Sequence, residues 1–119
     1  MQVQVLYQHR NEITGDIEGF DHVANVDVPP FFTVNQAMEY AYRALQNTEG
    51  SWSMDWSLEH DGIVTENVDY DPNITVLKPL RTWSDGRKMG HRSAMMYDRM
   101  IFNGDLYEVD AIGFRKLEG

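Results

Sequence analysis

The side chains best suited to chemistry in this chain are carboxylates, and they concentrate in its middle. Residues 48–77 hold seven acidic residues and no lysine or arginine. Trp52 and Trp56 lie in the same stretch. Carboxylates in this arrangement attract a cation or a basic protein surface, and an exposed aromatic ring can anchor the contact. The candidate binding residues are therefore Glu49, Trp52, Asp55, Trp56, Glu59, Asp61, Glu66, Asp69 and Asp71.

The acidic stretch does not match a specific metal site. Asp69, Asp71 and Asn73 follow the alternate spacing with which a calcium-binding loop begins. That loop requires a glycine and a final glutamate where this chain has Ile74 and Leu80. We therefore expect no specific metal ion and no cofactor.

Catalytic constellations are equally incomplete. The chain lacks the nucleophile-elbow, zinc-protease, phosphate-loop and dinucleotide-binding motifs. His9 and His22 fall on two predicted strands and could lie side by side, but a third ligand for catalytic zinc is missing. Glu59, His60 and Asp61 contain an acid–base pattern, yet exposed loop residues are the favoured interpretation. We expect a binding protein rather than an enzyme.

Composition excludes several function classes. The 119 residues include 19 acidic and 10 basic side chains, for a formal charge of −9, and contain no cysteine. This charge disfavours direct binding to nucleic acid or to anionic membranes, and the missing cysteines exclude disulfides and thiol chemistry. Neither a membrane-spanning apolar run nor a signal-peptide pattern is present. A cytoplasmic protein is expected.

The first half of the chain contains the clearest periodic patterns. Val3, Val5 and Tyr7 alternate with polar residues, and a second alternating run over 20–28 ends at a proline pair. These runs predict an antiparallel hairpin. Thr33 to Gln36 matches a helix capping box, and apolar residues then recur at helical spacing for about fourteen residues.

The second half predicts more strands. Ile74 to Leu77 is typical of a short strand, and Ser84-Asp85-Gly86 is typical of a turn. Asn103-Gly104 between two apolar runs indicates a hairpin with a type I′ turn, which would place Arg99 opposite Glu108 and Met100 opposite Tyr107. Gly113-Phe114 would open a last short strand.

These patterns predict one domain over residues 1–119, with residues 48–72 as an acidic insert. The fold class is α+β, with an antiparallel or mixed sheet and one helix packed on one face. The expected order is β-β-α-β-β in a β-grasp-like arrangement, with a split-βαβ layout as the alternative. Trp52 and Trp56 would lie on one helical turn or on a loop at the rim of the core.

Four short motifs between residues 35 and 117 resemble those of small uncharacterised proteins of phages and mobile elements. The last part is similar to the YodL-like domain of mobile-element polyvalent proteins. Met95-Met96-Tyr97 stands where that pattern has Ser-Val-Gly. The resemblance implies action in a bacterial cytoplasm and no catalytic residue. The matching residues are Asn47–Trp52, His91–Asp98, Tyr107–Val109 and Gly113–Phe114.

The motif around Arg92 also has a physical interpretation. The Ser93 hydroxyl and the Asp98 carboxylate are expected to accept backbone N–H bonds and to lock a turn. Met95, Met96 and Tyr97 would belong to the core or its rim, or else form a partner surface.

Three functions follow from these observations. The first is a non-enzymatic module of a phage or mobile element whose acidic insert binds a host protein with a basic surface, for example to inhibit a nucleic-acid-binding protein. The second is a small ligand-binding or enzymatic domain. The third is a structural or assembly protein, including a homodimer joined through an edge strand.

Overall fold

The computed structural model describes residues 1–60, 62–77, 81–82 and 88–117. One α-helix and ten β-strands form in this part of the chain, and none of its helices is long and apolar enough to cross a membrane. The elements are β1 Gln2–Arg10, β2 Ile17–Asp27, α1 Val34–Ala44, β3 Ser57–His60, β4 Ile63–Glu66, β5 Ile74–Val76, β6 Arg81–Thr82, β7 Lys88–Met89, β8 Arg99–Phe102, β9 Asp105–Val109 and β10 Phe114–Leu117.

The main sheet has six antiparallel strands in the order β10-β9-β8-β1-β2-β5. β1 lies in its interior and pairs with β2 on one side and β8 on the other. Val3, Val5 and Tyr7 are buried as their alternation predicts. The β1–β2 hairpin is therefore confirmed. A β-bulge at Val23 shifts its register, since Val5 pairs with Ala24 and Leu6 with His22.

The helix covers one face of this sheet. Thr33 accepts a hydrogen bond from the backbone N–H of Gln36, whose side chain accepts one from the backbone N–H of Thr33, so the predicted capping box is present. The buried residues of the helix, Ala37, Met38 and Ala41, pack in a single core cluster with the inward residues of β1, β2, β8 and β9. The helix ends at Ala44, earlier than expected, because the residues after Leu45 turn away to contact residues 91–94.

The β8–β9 hairpin has the predicted register. Arg99 pairs with Glu108 and Met100 with Tyr107. Asn103 and Gly104 have φ angles of 52° and 80°, which is the left-handed backbone that a type I′ turn requires. β10 then pairs antiparallel with β9, as the pattern at Gly113-Phe114 predicts.

The α+β class with one helix on an antiparallel sheet is confirmed, but the finer topology is not. Eight strands follow the helix in the described residues, not two, and every described pair is antiparallel. The β-β-α-β-β order and the β-grasp arrangement are therefore not confirmed. β3–β4 and β6–β7 form separate two-stranded sheets. The β3–β4 hairpin was not predicted because residues 48–72 lack a sustained hydrophobic period. The predicted turn at 84–86 lies outside the described residues.

Candidate functional site

Trp52 joins two segments that lie about forty residues apart in sequence. Its indole is 1% exposed, and Nε1 donates to the Arg92 carbonyl at 2.8 Å. The ring packs edge-on against Tyr7, with 6.0 Å between the ring centroids, and stacks on His91, with 5.7 Å between the centroids. Trp52 therefore belongs to the core and is not available as a surface anchor, which leaves Trp56 as the exposed tryptophan of the acidic insert.

Asn47, just after the helix, also connects the segment around Trp52 to the segment around His91. Its Nδ2 donates to the His91 carbonyl at 2.9 Å, and its Oδ1 accepts from the Trp52 backbone N–H at 3.0 Å. Its own backbone N–H donates to Ser93 Oγ at 2.8 Å. The Ser93 hydroxyl thus accepts a backbone N–H as predicted, but from the end of the helix region and not from its own turn. The segments Asn47–Trp52 and His91–Asp98 thus meet in space and are joined by hydrogen bonds.

Beneath this junction lies a buried ion pair between Arg92 and Asp98. The two guanidinium nitrogens Nη1 and Nη2 each donate to one Asp98 oxygen at 2.7 Å. The carboxylate also accepts the backbone N–H groups of Gln8 at 3.0 Å and Met95 at 2.9 Å. Asp98 is fully buried, whereas the Arg92 side chain remains 37% exposed. Asp98 therefore locks the turn as predicted and ties it to the central strand β1.

Tyr7 completes this cluster. Its hydroxyl donates to the Arg92 carbonyl at 2.9 Å, and the Arg92 guanidinium carbon lies 4.1 Å above the ring centroid. Burial raises the pKa of the Tyr7 phenol well above its ordinary value, and the nearby Asp98 charge raises it further. Partial burial alone would lower the pKa of Arg92, but its hydrogen bonds to Asp98, together with the charge of Asp98 and the Tyr7 phenol, raise it above its ordinary value. All these groups are mutually satisfied, which indicates a structural cluster.

Two polar residues near the end of the acidic insert hydrogen-bond to its beginning and so tie its two ends together. The Asp69 carboxylate accepts the backbone N–H groups of Thr48, Glu49 and Gly50 at 2.6–2.9 Å. Asn67 is buried and bonds to backbone groups on both sides of Trp52, including the Ser51 carbonyl at 2.6 Å. The charge of Asp69 is thereby used within the chain.

Asp71 is also engaged. Its carboxylate accepts a hydrogen bond from the Tyr40 hydroxyl and one from the Asn73 backbone N–H at 2.9 Å. Burial, and next the bond to Asp71, raise the pKa of Tyr40. Asp69 and Asp71 thus have structural partners instead of forming the start of a calcium loop.

Three further acidic residues of the insert, among those whose side chains the structure describes, face solvent. Glu49, Asp55 and Glu66 are exposed, and no lysine or arginine in the described residues forms an ion pair with them. Trp56 is 67% exposed directly beside Asp55. The backbone of Glu59 lies in β3 opposite Val64, and Asp61 lies outside the described residues.

The β3–β4 hairpin contains Glu66 and directly follows Asp55 and Trp56. Ser57 pairs with Glu66, and the Asn67 backbone N–H donates to the Trp56 carbonyl at 2.7 Å. Ile63 and Val64 of β4 are about two-thirds exposed. A separate two-stranded hairpin with exposed aliphatic, aromatic and acidic side chains is typical of a surface that binds another molecule.

The cavities beside the helix are open to solvent. One of them, about 450 Å³, lies between the helix and the end of the insert. It is lined by Phe32, Tyr40 and Asp71, among others, and by the exposed salt-bridge partners Glu39 and Arg43. Its one acid–hydroxyl pair, Tyr40 with Asp71, is already hydrogen-bonded within the protein. The cavity therefore gives the ligand-binding alternative little support.

His9 and His22 do not form a metal site. His9 is opposite Gly19 and lies 3.9 Å from an Asp21 oxygen, whereas His22 is opposite Leu6 and hydrogen-bonds Asn25 at 2.7 Å. The two are therefore not paired side by side. Across the residues that the structure describes, no three histidine or acidic side chains are placed to hold a metal ion.

The sequence did not single out Asn47, Asn67 or Tyr7 as organising residues. Each bonds to backbone groups far along the chain or across the sheet. No local sequence pattern indicates bonds between residues so far apart, so these roles emerge only from the folded structure.

Comparison with known proteins found no matching family model, no matching curated protein and no matching solved structure.

Proposed function

We propose that this protein acts by binding a partner protein with a basic surface, through the acidic insert at residues 48–72. The observation that carries the proposal is the exposed ring of Trp56 next to the exposed Asp55, directly before the β3–β4 hairpin. Asp55 forms no ion pair with a lysine or arginine of the described residues, and its backbone carbonyl accepts a hydrogen bond from Asn67. An exposed indole with flanking carboxylates combines a binding anchor with charge selection.

The charge distribution supports a cationic partner. The insert carries most of the excess negative charge of a chain whose formal charge is −9. Asp69 and Asp71 have partners within the protein. Among the described side chains of the insert, the charge offered outward therefore comes from Glu49, Asp55 and Glu66. Exposed charges of one sign speed association with an oppositely charged surface and make it sensitive to salt.

A concrete form is inhibition of a nucleic-acid-binding protein of a bacterial host. The basic groove of such a protein normally holds phosphates, and a row of carboxylates beside an aromatic ring can occupy the same groove. The resemblance of residues 35–117 to proteins of phages and mobile elements supports a bacterial host as the setting. The proposed partner is therefore a protein, with no direct contact between this chain and nucleic acid.

The test compares two variants that each remove two carboxylates and one aromatic ring, from different places on the protein. The first is Asp55→Asn, Trp56→Ser, Glu66→Gln, within the insert. The control is Glu12→Gln, Glu18→Gln, Phe31→Ser, three residues that are exposed elsewhere. Each protein is immobilised and used to capture proteins from bacterial lysate at about 50 mM and about 500 mM salt, with quantification by mass spectrometry.

We expect the wild type and the control to enrich the same basic protein at low salt and to release it at high salt. The insert variant should lose it by at least about tenfold, the effect of removing a central anchor. Capture that is equal for all three proteins, or unchanged by salt, would show that the insert is not the binding surface.

A further inference from the structure

A second exposed surface lies at the other side of the helix, on the turn Met95-Met96-Tyr97. These three apolar residues are 48%, 38% and 46% exposed. The turn is nevertheless held firmly, since Asp98 accepts the Met95 N–H, Gln8 Nε2 donates to the Met96 carbonyl at 2.9 Å, and the Tyr97 N–H donates to the Val109 carbonyl at 2.9 Å. The protein thus fixes the backbone of a turn whose apolar side chains face water.

Tyr97 also has an unfavourable backbone. Its φ angle is 75°, in the left-handed region where bulky residues are rare and glycine is normally preferred. Such strain persists only where the surrounding contacts over-determine it, and it clusters at ligand-binding positions. The contacts on Tyr97 and Asp98 supply that constraint.

Met96 forms one wall of a cavity of about 300 Å³ between the helix and the β9–β10 turn. Ile112, which is 94% exposed, sits in that turn between two residues that also line the cavity. We call the cavity together with Met95, Tyr97 and Ile112 the Met–Tyr groove. Its lining includes Tyr42, Met96 and Phe114 as apolar residues and Glu39, Arg43 and Asp110 as charged ones.

We infer that the Met–Tyr groove binds a short segment of a partner protein that inserts an apolar side chain and carries a lysine or arginine beside it. The volume lies at the lower limit of small-molecule sites, so it suits one or two side chains better than a cofactor. Methionine and tyrosine are enriched at protein interfaces because they adapt to varied contacts. The inference rests on the proposed function only in taking the partner to be cationic.

Charge selects the occupant. Two copies of a chain with charge −9 repel each other, which disfavours a second copy in the groove. The groove carboxylates are only loosely paired: Asp110 lies 4.0 Å from Arg115, which bonds Glu108 at 2.9 Å instead, and Glu39 lies 4.0 Å from Arg43. Both can therefore accept a basic side chain from a partner.

The experiment selects binders from a displayed library of random peptides of about twelve residues. Enriched peptides are then titrated against four proteins: wild type, Met96→Glu, Tyr97→Gly and the insert variant described above. Met96 is partly exposed, and glycine adopts the backbone of Tyr97 without strain, so both groove variants are expected to fold. Thermal melts check this.

We expect enriched peptides that combine apolar and basic residues, bind wild type and the insert variant equally, and weaken by about tenfold or more on Met96→Glu and severalfold on Tyr97→Gly. In protein labelled with ¹³C at the methionine methyls, Met95 and Met96 should shift on titration while the buried Met38 and Met100 do not.

Three outcomes would overturn the inference. The first is that the library yields no binder sensitive to Met96→Glu. The second is that the binders depend only on the insert, a result that leaves the proposed function standing. The third is that sedimentation shows a dimer of this chain that Met96→Glu dissociates, which would make a second copy the occupant.

Discussion

Replacing Asp98 by asparagine should reveal how much of the stability depends on the buried ion pair. Asparagine has nearly the same shape but no charge. Arg92, Gln8 and Met95 donate to Asp98 at 2.7–3.0 Å, and the asparagine NH2 group, itself a donor, could not accept from whichever of them it faced. The variant therefore exchanges four charge-assisted contacts for a mixture of weak bonds and unsatisfied groups.

The magnitude follows from the burial of the two partners. Removing one member of a buried pair costs about 3–5 kcal/mol. Because the Arg92 side chain is 37% exposed, its released guanidinium recovers part of its hydration, and we place the loss near the lower end, at about 3 kcal/mol. For a domain of this size that corresponds to a fall in Tm of roughly 10 °C.

The assay is urea unfolding followed by tryptophan fluorescence and circular dichroism. Asp105→Asn is the matched control, because its partner Lys116 lies 3.5 Å away in an exposed pair worth less than about 1 kcal/mol. If Asp98→Asn loses no more free energy of unfolding than this control, then the Arg92 pair does not hold the junction and our account of the cluster is wrong.

Three further predictions concern other contacts. Tyr7→Phe should lower the free energy of unfolding by about 1 kcal/mol at neutral pH, because it removes the hydroxyl bond to the Arg92 carbonyl. Because burial raises the pKa of Tyr7, the folded protein keeps the phenolic proton above about pH 10, where the unfolded chain releases it. The free energy of unfolding of the wild type therefore falls there, and its advantage over Tyr7→Phe becomes smaller. An advantage that stays constant in alkaline unfolding curves would contradict this. Gly104→Ala should cost about 1–2 kcal/mol because its φ is 80°, whereas Gly19→Ala, which has ordinary φ and open space, should be neutral or slightly stabilising; equal melting temperatures would refute the difference. Asn67→Ala should speed limited proteolysis within residues 48–72, compared with wild type at equal temperature, because it removes the side-chain bonds that hold the insert; an unchanged cleavage rate would argue against that role.

Local patterns were sufficient for several elements of the fold. Alternation predicted the β1–β2 hairpin, the Thr33 capping box predicted the start of the helix, and Asn103-Gly104 predicted both the turn and the β8–β9 register. In each case the interactions that decide the structure join residues close in sequence, so side-chain type and spacing carry the information. Sheet order and the β3–β4 hairpin were not predicted, because they depend on contacts between distant segments or on a stretch without a period.

The amino-acid sequence by itself determined the fold class, the charge of the insert and the residues that lock the turn at Asp98. The tertiary structure alone decided that Trp52 is buried while Trp56 is exposed, that the Asp69 charge is used within the chain, and that Tyr97 is held in a strained backbone at a surface groove. The physical reason is that the residue type alone fixes the charge and hydrogen-bonding groups of a side chain, whereas the segments that pack against it, often distant in sequence, determine its exposure.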